Sequence, residues 1–145
     1  MSRGKADDEG RETVLVVDDD EDLLDVARDV IEHEGFRVLT AANGEEALRQ
    51  LASGETPCLI LLDMSMPGMD GQEFRRRQLS DPGIAGIPVV GFTGIANAER
   101  EATRIALSSV LRKPVNLHQL LETVAHYCSD PNHLEFSSKP TSASR

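Results

Sequence analysis

Several ionisable or hydroxyl side chains follow directly on short, largely apolar runs. Asp18, Asp19 and Asp20 come after Val14–Val17, Asp63 after Leu59–Leu62, Thr93 after Val89–Phe92, and Lys113 after Val110–Arg112. If these runs are neighbouring strands, three or more carboxylates, a hydroxyl and an ammonium converge on one rim. Carboxylates held together repel: two charges about 4–5 Å apart cost roughly 3–4 kcal/mol at an effective dielectric near 20. Such a cluster either raises a pKa or takes up a cation, and an all-oxygen donor set suits Mg²⁺. A small octahedral ion held by a few carboxylates keeps positions for water and for a phosphoryl oxygen. In that setting the Asp63 carboxylate can attack phosphorus and form an acyl phosphate. The ion and Lys113 would offset charge building on the equatorial oxygens, and the Thr93 hydroxyl would donate to one of them.

The rest of the chain supplies elements able to hold these groups. Thr13 to Asp18, Phe36 to Thr40, Cys58 to Asp63, Ile87 to Thr93 and Val110 to Arg112 read as strands, those rich in Val, Ile and Leu being buried on both faces. Pro88 stands at the start of its strand, where a missing N–H is tolerated. Between them, Leu23, Leu24, Ala27, Val30 and Ile31 share a helical face that stops at Gly35. Asn43 suits the N-cap of a helix over Gly44 to Ser53, ended by Gly54. Gly71 to Ser80 and Asn97 to Leu107 are further helices. Asn116 caps a last one with Leu117, Leu120, Leu121 and Val124 on its face. Five β–α units in series predict an α/β fold, a mainly parallel sheet with helices on both faces. Open sheets of this kind carry their sites at the carboxyl ends of the strands.

The segment Val14 to Asp20, the run Leu59-Ile-Leu-Leu-Asp-Met-Ser-Met-Pro-Gly-Met-Asp-Gly71 and the pair Lys113–Pro114 together resemble bacterial response-regulator receiver domains of two-component systems. The resemblance spans about Thr13 to Cys128, and the separations of Asp18, Asp63 and Thr93 are usual for that family. It implies a flavodoxin-like, doubly wound (βα)5 fold with strand order 2-1-3-4-5. It also implies that Asp63 is the phosphoacceptor. Asp18, Asp19 and Asp63 would hold Mg²⁺, Asp19 more directly than Asp18, with the backbone carbonyl of Ser65 as a further ligand. Thr93 and Lys113 would contact the phosphoryl group, Gly94 would leave its entry open, and the Lys113–Pro114 bond would be cis. Asp20 is expected to cap a helix rather than bind metal. The implied donor is a histidine kinase or phosphotransfer protein, with a downstream protein target. The chain would catalyse only its own phosphorylation and slow dephosphorylation, Ser65 and Ile95 offering no carboxylate or amide to orient water.

Two features depart from the family. Val110 occupies the switch position three residues before Lys113, where Tyr or Phe is usual, and the stretch from Thr93 to Lys113 is short, so the fourth helix or its loop is expected to be trimmed. Both bear on output rather than on phosphorylation chemistry. Taken alone, Asp18 to Asp20 would be a solvated helix N-terminus, where carboxylates are favourable anyway. A phosphatase of the haloacid-dehalogenase class would need a second Asp where Ser65 stands, and an FMN carrier would be repelled by Asp18 to Asp20. A pseudo-receiver that binds protein without phosphate, or a receiver fragment of a hybrid histidine kinase, remains an alternative. The initiating Met and the tail favour a free-standing regulator.

With 145 residues, 39% apolar, the chain has room for one domain over 13–128. Residues 1–12 and the Ser- and Pro-containing stretch 129–145 read as disordered ends. A net charge of −10, four Phe, one Tyr and no Trp argue against a nucleic-acid surface. The one basic run, Arg75 to Arg77, is expected on the solvated face of a helix. The four histidines share no metal-ligand spacing. No apolar run approaches the length of a membrane span or a secretory signal, so a cytoplasmic location is expected. Cys58 and Cys128, each in an apolar segment, are expected to be separate, reduced, packed thiols.

Overall fold

The computed structural model describes residues 12–64, 68–69, 71–93 and 107–128. Five strands, β1 (Thr13–Val17), β2 (Arg37–Ala41), β3 (Leu59–Asp63), β4 (Val89–Thr93) and β5 (Ser109–Arg112), form one parallel sheet in the order β2-β1-β3-β4-β5. Four helices are described: α1 (Glu21–His33), α2 (Gly44–Ala52), α3 (Gly71–Leu79) and α4 (Leu117–Tyr127). This is the flavodoxin-like arrangement. Every residue of β1, β3 and β4 is buried, as strands covered on both faces require, whereas β2 and β5 at the edges are only partly so.

Alternation along the strands divides the core in two. Val14, Val16, Leu59, Leu61, Val90 and Phe92 face Leu24, Ala27 and Ile31 of α1 and Leu120 and Val124 of α4. Leu15, Val17, Ile60, Leu62 and Val89 face Ala47 and Leu51 of α2 and Phe74 of α3. The register sets Val17 beside Ala41 and Leu62, Asp63 beside Phe92, and Thr93 beside Arg112, so the strands finish along one rim. Helix ends follow the sequence signals. Asn43 accepts from the Glu46 N–H (2.8 Å), while Glu46 accepts from the Ala42 N–H (2.8 Å). Asn116 accepts from the Gln119 N–H (3.0 Å). Gly35 and Gly54 end their helices at φ of 102° and 105°, the left-handed region that glycine enters without penalty.

Two expectations fail. Arg76 and Arg77 are exposed and pair with Glu73 at 2.6 and 2.8 Å, but Arg75 is buried. Arg75 shares the inward face of α3 with Phe74 and Gln78, and its Nη1 donates to Gln78 Oε1 (2.6 Å). Gln78 Nε2 in turn donates to the Ile84 and Ile87 carbonyls (2.8 and 3.0 Å), fixing the turn that leads into β4. The cysteines are not separate thiols either: Cys58 and Cys128 form a disulfide with Cα atoms 5.5 Å apart. Cys58 lies just before β3 and Cys128 just after α4, so two positions 70 residues apart meet at the amino-terminal edge of the sheet. The helix expected over 97–107 and the two terminal segments lie outside the described residues, apart from Glu12 and Leu107.

The start of α3 is packed against the chain leaving β3. A Cβ at Gly71 would stand 2.6 Å from Met64 Sδ and 3.0 Å from the Met64 Cα, which is backbone and cannot swing aside. Gly71→Ala should therefore lower stability by about 1–3 kcal/mol through overpacking. Asn43→Ala, which only removes a cap, should lower it by about 1 kcal/mol. Urea titration compares them, and a Gly71→Ala loss no larger than that of Asn43→Ala would contradict the packing argument.

Candidate functional site

The three consecutive aspartates have three different fates. Asp18 continues β1 by donating its N–H to the Ala41 carbonyl (3.1 Å), which turns its side chain into the molecule, where it is fully buried. Asp19 is exposed. Asp20 adopts extended backbone at the N-cap of α1 and accepts from the Asp22 and Leu23 N–H groups (3.0 and 3.3 Å), as expected of a capping carboxylate. The Asp20 N–H also donates to Asp18 Oδ1 (2.9 Å), so the cap residue orients the buried carboxylate from its backbone. Side-chain types gave no signal of that contact.

Asp63 closes β3, buried like Asp18, and Thr93 is buried at the end of β4. Lys113 is anchored by donating its N–H to the Thr93 carbonyl (2.9 Å), and the following bond to Pro114 is cis. Its ammonium reaches across the rim to within 3.3 Å of Asp18 Oδ2 and 3.5 Å of Asp63 Oδ1. The contact to Asp18 is an ion pair rather than an aligned hydrogen bond: Oδ2 is buried and accepts no hydrogen bond among the described residues. Carboxylate oxygens of Asp18, Asp19 and Asp63 lie within 4.8 Å of one another. The sheet thus brings Asp18, Asp19, Asp63, Thr93 and Lys113 to one rim. The Ser65 carbonyl, Gly94 and Ile95 lie outside the described residues. Val110 is half-buried on β5 beside Gly91, away from the carboxylates in register.

Burial raises the Asp18 pKa most; the Asp20 N–H opposes it, Asp63 adds to it and Lys113 opposes it, leaving it above the ordinary value. Burial draws the Lys113 pKa down, but Asp18 and Asp63 outweigh it and hold the ammonium above its usual range. Among the described residues, one cation therefore faces three carboxyl groups, two of them buried. The fit to a hard divalent cation is good: the donors are all oxygen, one is a buried oxygen that accepts no hydrogen bond among the described residues, and the cluster is compact.

A parallel sheet that changes direction between β1 and β3 and gathers an acidic cluster and a lysine at that switch point has the layout of a phosphoacceptor receiver. The family model for the response regulator receiver domain matches residues 14–125, and the chain belongs to that family, whose members are generally non-enzymatic. It is 31% identical over 120 residues to the polar-differentiation response regulator DivK of Brucella anthropi, covering 81% of this chain and 97% of that protein. It is 38% identical over 117 residues to an uncharacterized 14.6 kDa protein of Leptolyngbya boryana, covering 79% and 88%. Among solved structures, the chemotaxis response regulator CheY4 of Vibrio cholerae superposes with a TM-score of 0.74 at 28% identity, over 81% of this chain and 99% of the other. No helix among the described residues is long and apolar enough to cross a membrane.

With divalent cations removed, Lys113 is, among the described residues, the cation that pairs with both buried carboxylates. Breaking a buried ion pair costs about 3–5 kcal/mol; with Lys113 about one-third exposed, Lys113→Met should cost less, about 1–3 kcal/mol. Adding Asp63→Asn to that variant should recover part of the loss, because it removes the repulsion that Lys113 had offset. Denaturation in EDTA measures both, and a double variant less stable than Lys113→Met would contradict this reading.

Proposed function

We propose that the chain is a phosphoacceptor whose Asp63 carboxylate takes a phosphoryl group from a histidine kinase or phosphotransfer protein and thereby changes its contacts with a downstream protein. The observation that carries this reading is the position of Asp63: buried at the end of β3, 3.5 Å from the Lys113 ammonium, with Asp18 and Asp19 oxygens converging beside it. An Asp63 oxygen attacks phosphorus in line, the bond from phosphorus to the donor's imidazole nitrogen breaks, and an aspartyl phosphate forms. Lys113 stays charged and pairs with the phosphoryl oxygens, and the Thr93 hydroxyl donates to one of them. Asp18, held by the Asp20 N–H, and the exposed Asp19 would hold Mg²⁺ with Asp63 and the Ser65 carbonyl. When bound, the ion neutralises phosphoryl charge and offsets the repulsion among the three carboxylates.

Catalysis in this reading is confined to the chain's own phosphorylation and slow dephosphorylation, and the setting is cytoplasmic. Val110 is β-branched and stiff at χ1, so signalling here does not run through the rotation of an aromatic side chain at that position.

Incubation with acetyl phosphate and Mg²⁺ should add one phosphoryl group per chain by intact mass, and Asp63→Asn should abolish it. Addition that persists in the Asn variant would remove Asp63 from its role.

Mg²⁺ at a hundredfold its Kd should stabilise the folded chain by about 2.7 kcal/mol. Asp19→Ala should weaken that response. Asp20→Ala should lower basal stability by about 1 kcal/mol through loss of the cap and leave the Mg²⁺ response in place. Equal weakening by the two variants would shift the ligand assignment by one residue.

A further inference from the structure

The Cys58–Cys128 pair lies at the end of β3 opposite Asp63, and the proposed phosphoryl chemistry makes no use of it. The two halves of the bridge differ in access. Cys128 is buried at the end of α4, its N–H donating to the Val124 carbonyl (2.8 Å). Cys58 is half-buried, its N–H donating to the Thr13 carbonyl (2.8 Å), and it lines a polar cavity of about 420 Å³ together with Glu12, Thr13, Arg37, Gly54 and Glu55. The Cys58 side of the bridge thus borders the cavity, whereas the Cys128 side is buried. The backbone separation, with Cα atoms 5.5 Å apart, lies in the ordinary range for a disulfide.

We propose that Cys58 and Cys128 are a reversible dithiol–disulfide site that exchanges with low-molecular-weight disulfides of the glutathione class, Cys58 being the entry sulfur and Cys128 the resolving one. In the oxidising direction the Cys58 thiolate attacks one sulfur of the small disulfide. A protein mixed disulfide forms and one small thiol leaves. The Cys128 thiolate then attacks Cys58 Sγ, the internal bond forms and a second small thiol departs. Two protein thiols are oxidised and one small disulfide is reduced to two thiols, which take up the protons released. Reduction runs the same steps backward, the small thiolate entering through the cavity at Cys58.

The bond ties the last turn of α4 to the base of β3 and closes a loop of 70 residues. A loop of that length removes much of the unfolded chain's freedom. The hydrophobic contacts of Leu120 and Val124 with the sheet do not depend on the bond, so the reduced chain keeps its fold. The acidic rim is at the other end of β3 and is untouched in either state.

The full chain is equilibrated in buffers of varied reduced-to-oxidised glutathione ratio, quenched with acid and alkylated, and read by intact mass. Both thiols should disappear together into an intramolecular bond and return together, with far-ultraviolet circular dichroism unchanged. Tm should fall by roughly 10 °C on reduction. Cys128→Ser should trap one glutathione on Cys58, whereas Cys58→Ser should leave Cys128 slow to react. The proposal is overturned if both thiols stay reduced at every ratio, if only intermolecular disulfides form, or if reduction unfolds the chain, which would make the bond a fixed staple. Trapping on Cys128 in place of Cys58 would reverse the two roles.

Discussion

Two carboxylates taken out of water beside one another are the constraint on which the rest of this molecule turns. Withdrawing an ion from solvent carries a penalty of several kcal/mol even after relaxation, and Asp18 and Asp63 do so as neighbours of like charge. Among the described residues, the Lys113 ammonium at 3.3 to 3.5 Å and the Asp20 N–H at 2.9 Å offset part of this. In the proposed function a divalent cation would add positive charge beside these carboxylates, where a phosphoryl group would also meet the lysine.

The sheet makes that crowding possible. Each of the converging groups sits at or just past the end of a strand, and parallel pairing in a fixed register keeps those ends level. Turning one strand by a single residue would exchange its inward and outward faces, and in β3 it would carry Leu62 to the rim in place of Asp63. The two apolar layers, one under α1 and α4 and the other under α2 and α3, hold the register by burying alternate residues of the same strands.

Much of this was legible beforehand. Runs of Val, Ile and Leu bounded by Gly and Asn fixed the strands and most helix ends to within a residue or two, because turn chemistry and burial on both faces leave few choices at those positions. Asp63 and Lys113 stood out as charges where apolar runs end. What escaped has a physical reason. Arg75 lies in an unbroken basic run, and only the angular position of α3 on the sheet turns it inward beside Gln78. The cysteine pair joins positions far apart in the chain, and nothing local in either apolar segment announces the other. The capping role of Asp20 was legible, but the contact of its N–H with the Asp18 carboxylate depends on where β1 stops and α1 begins, and a run of identical residues does not mark that boundary.

The double contact of Gln78 with the Ile84 and Ile87 carbonyls has a consequence for how such a chain can vary over time. A side-chain amide that spans two backbone oxygens measures the length of the connection between α3 and β4. Extra residues there would pull one carbonyl out of reach and strand a buried amide, a penalty of about 1–3 kcal/mol for the unpaired group. Insertions and deletions should then collect elsewhere, such as the turn after Gly54 or the connection between β4 and β5. The α3–β4 connection would behave as a ruler, inherited at constant length even as its exposed side chains drift.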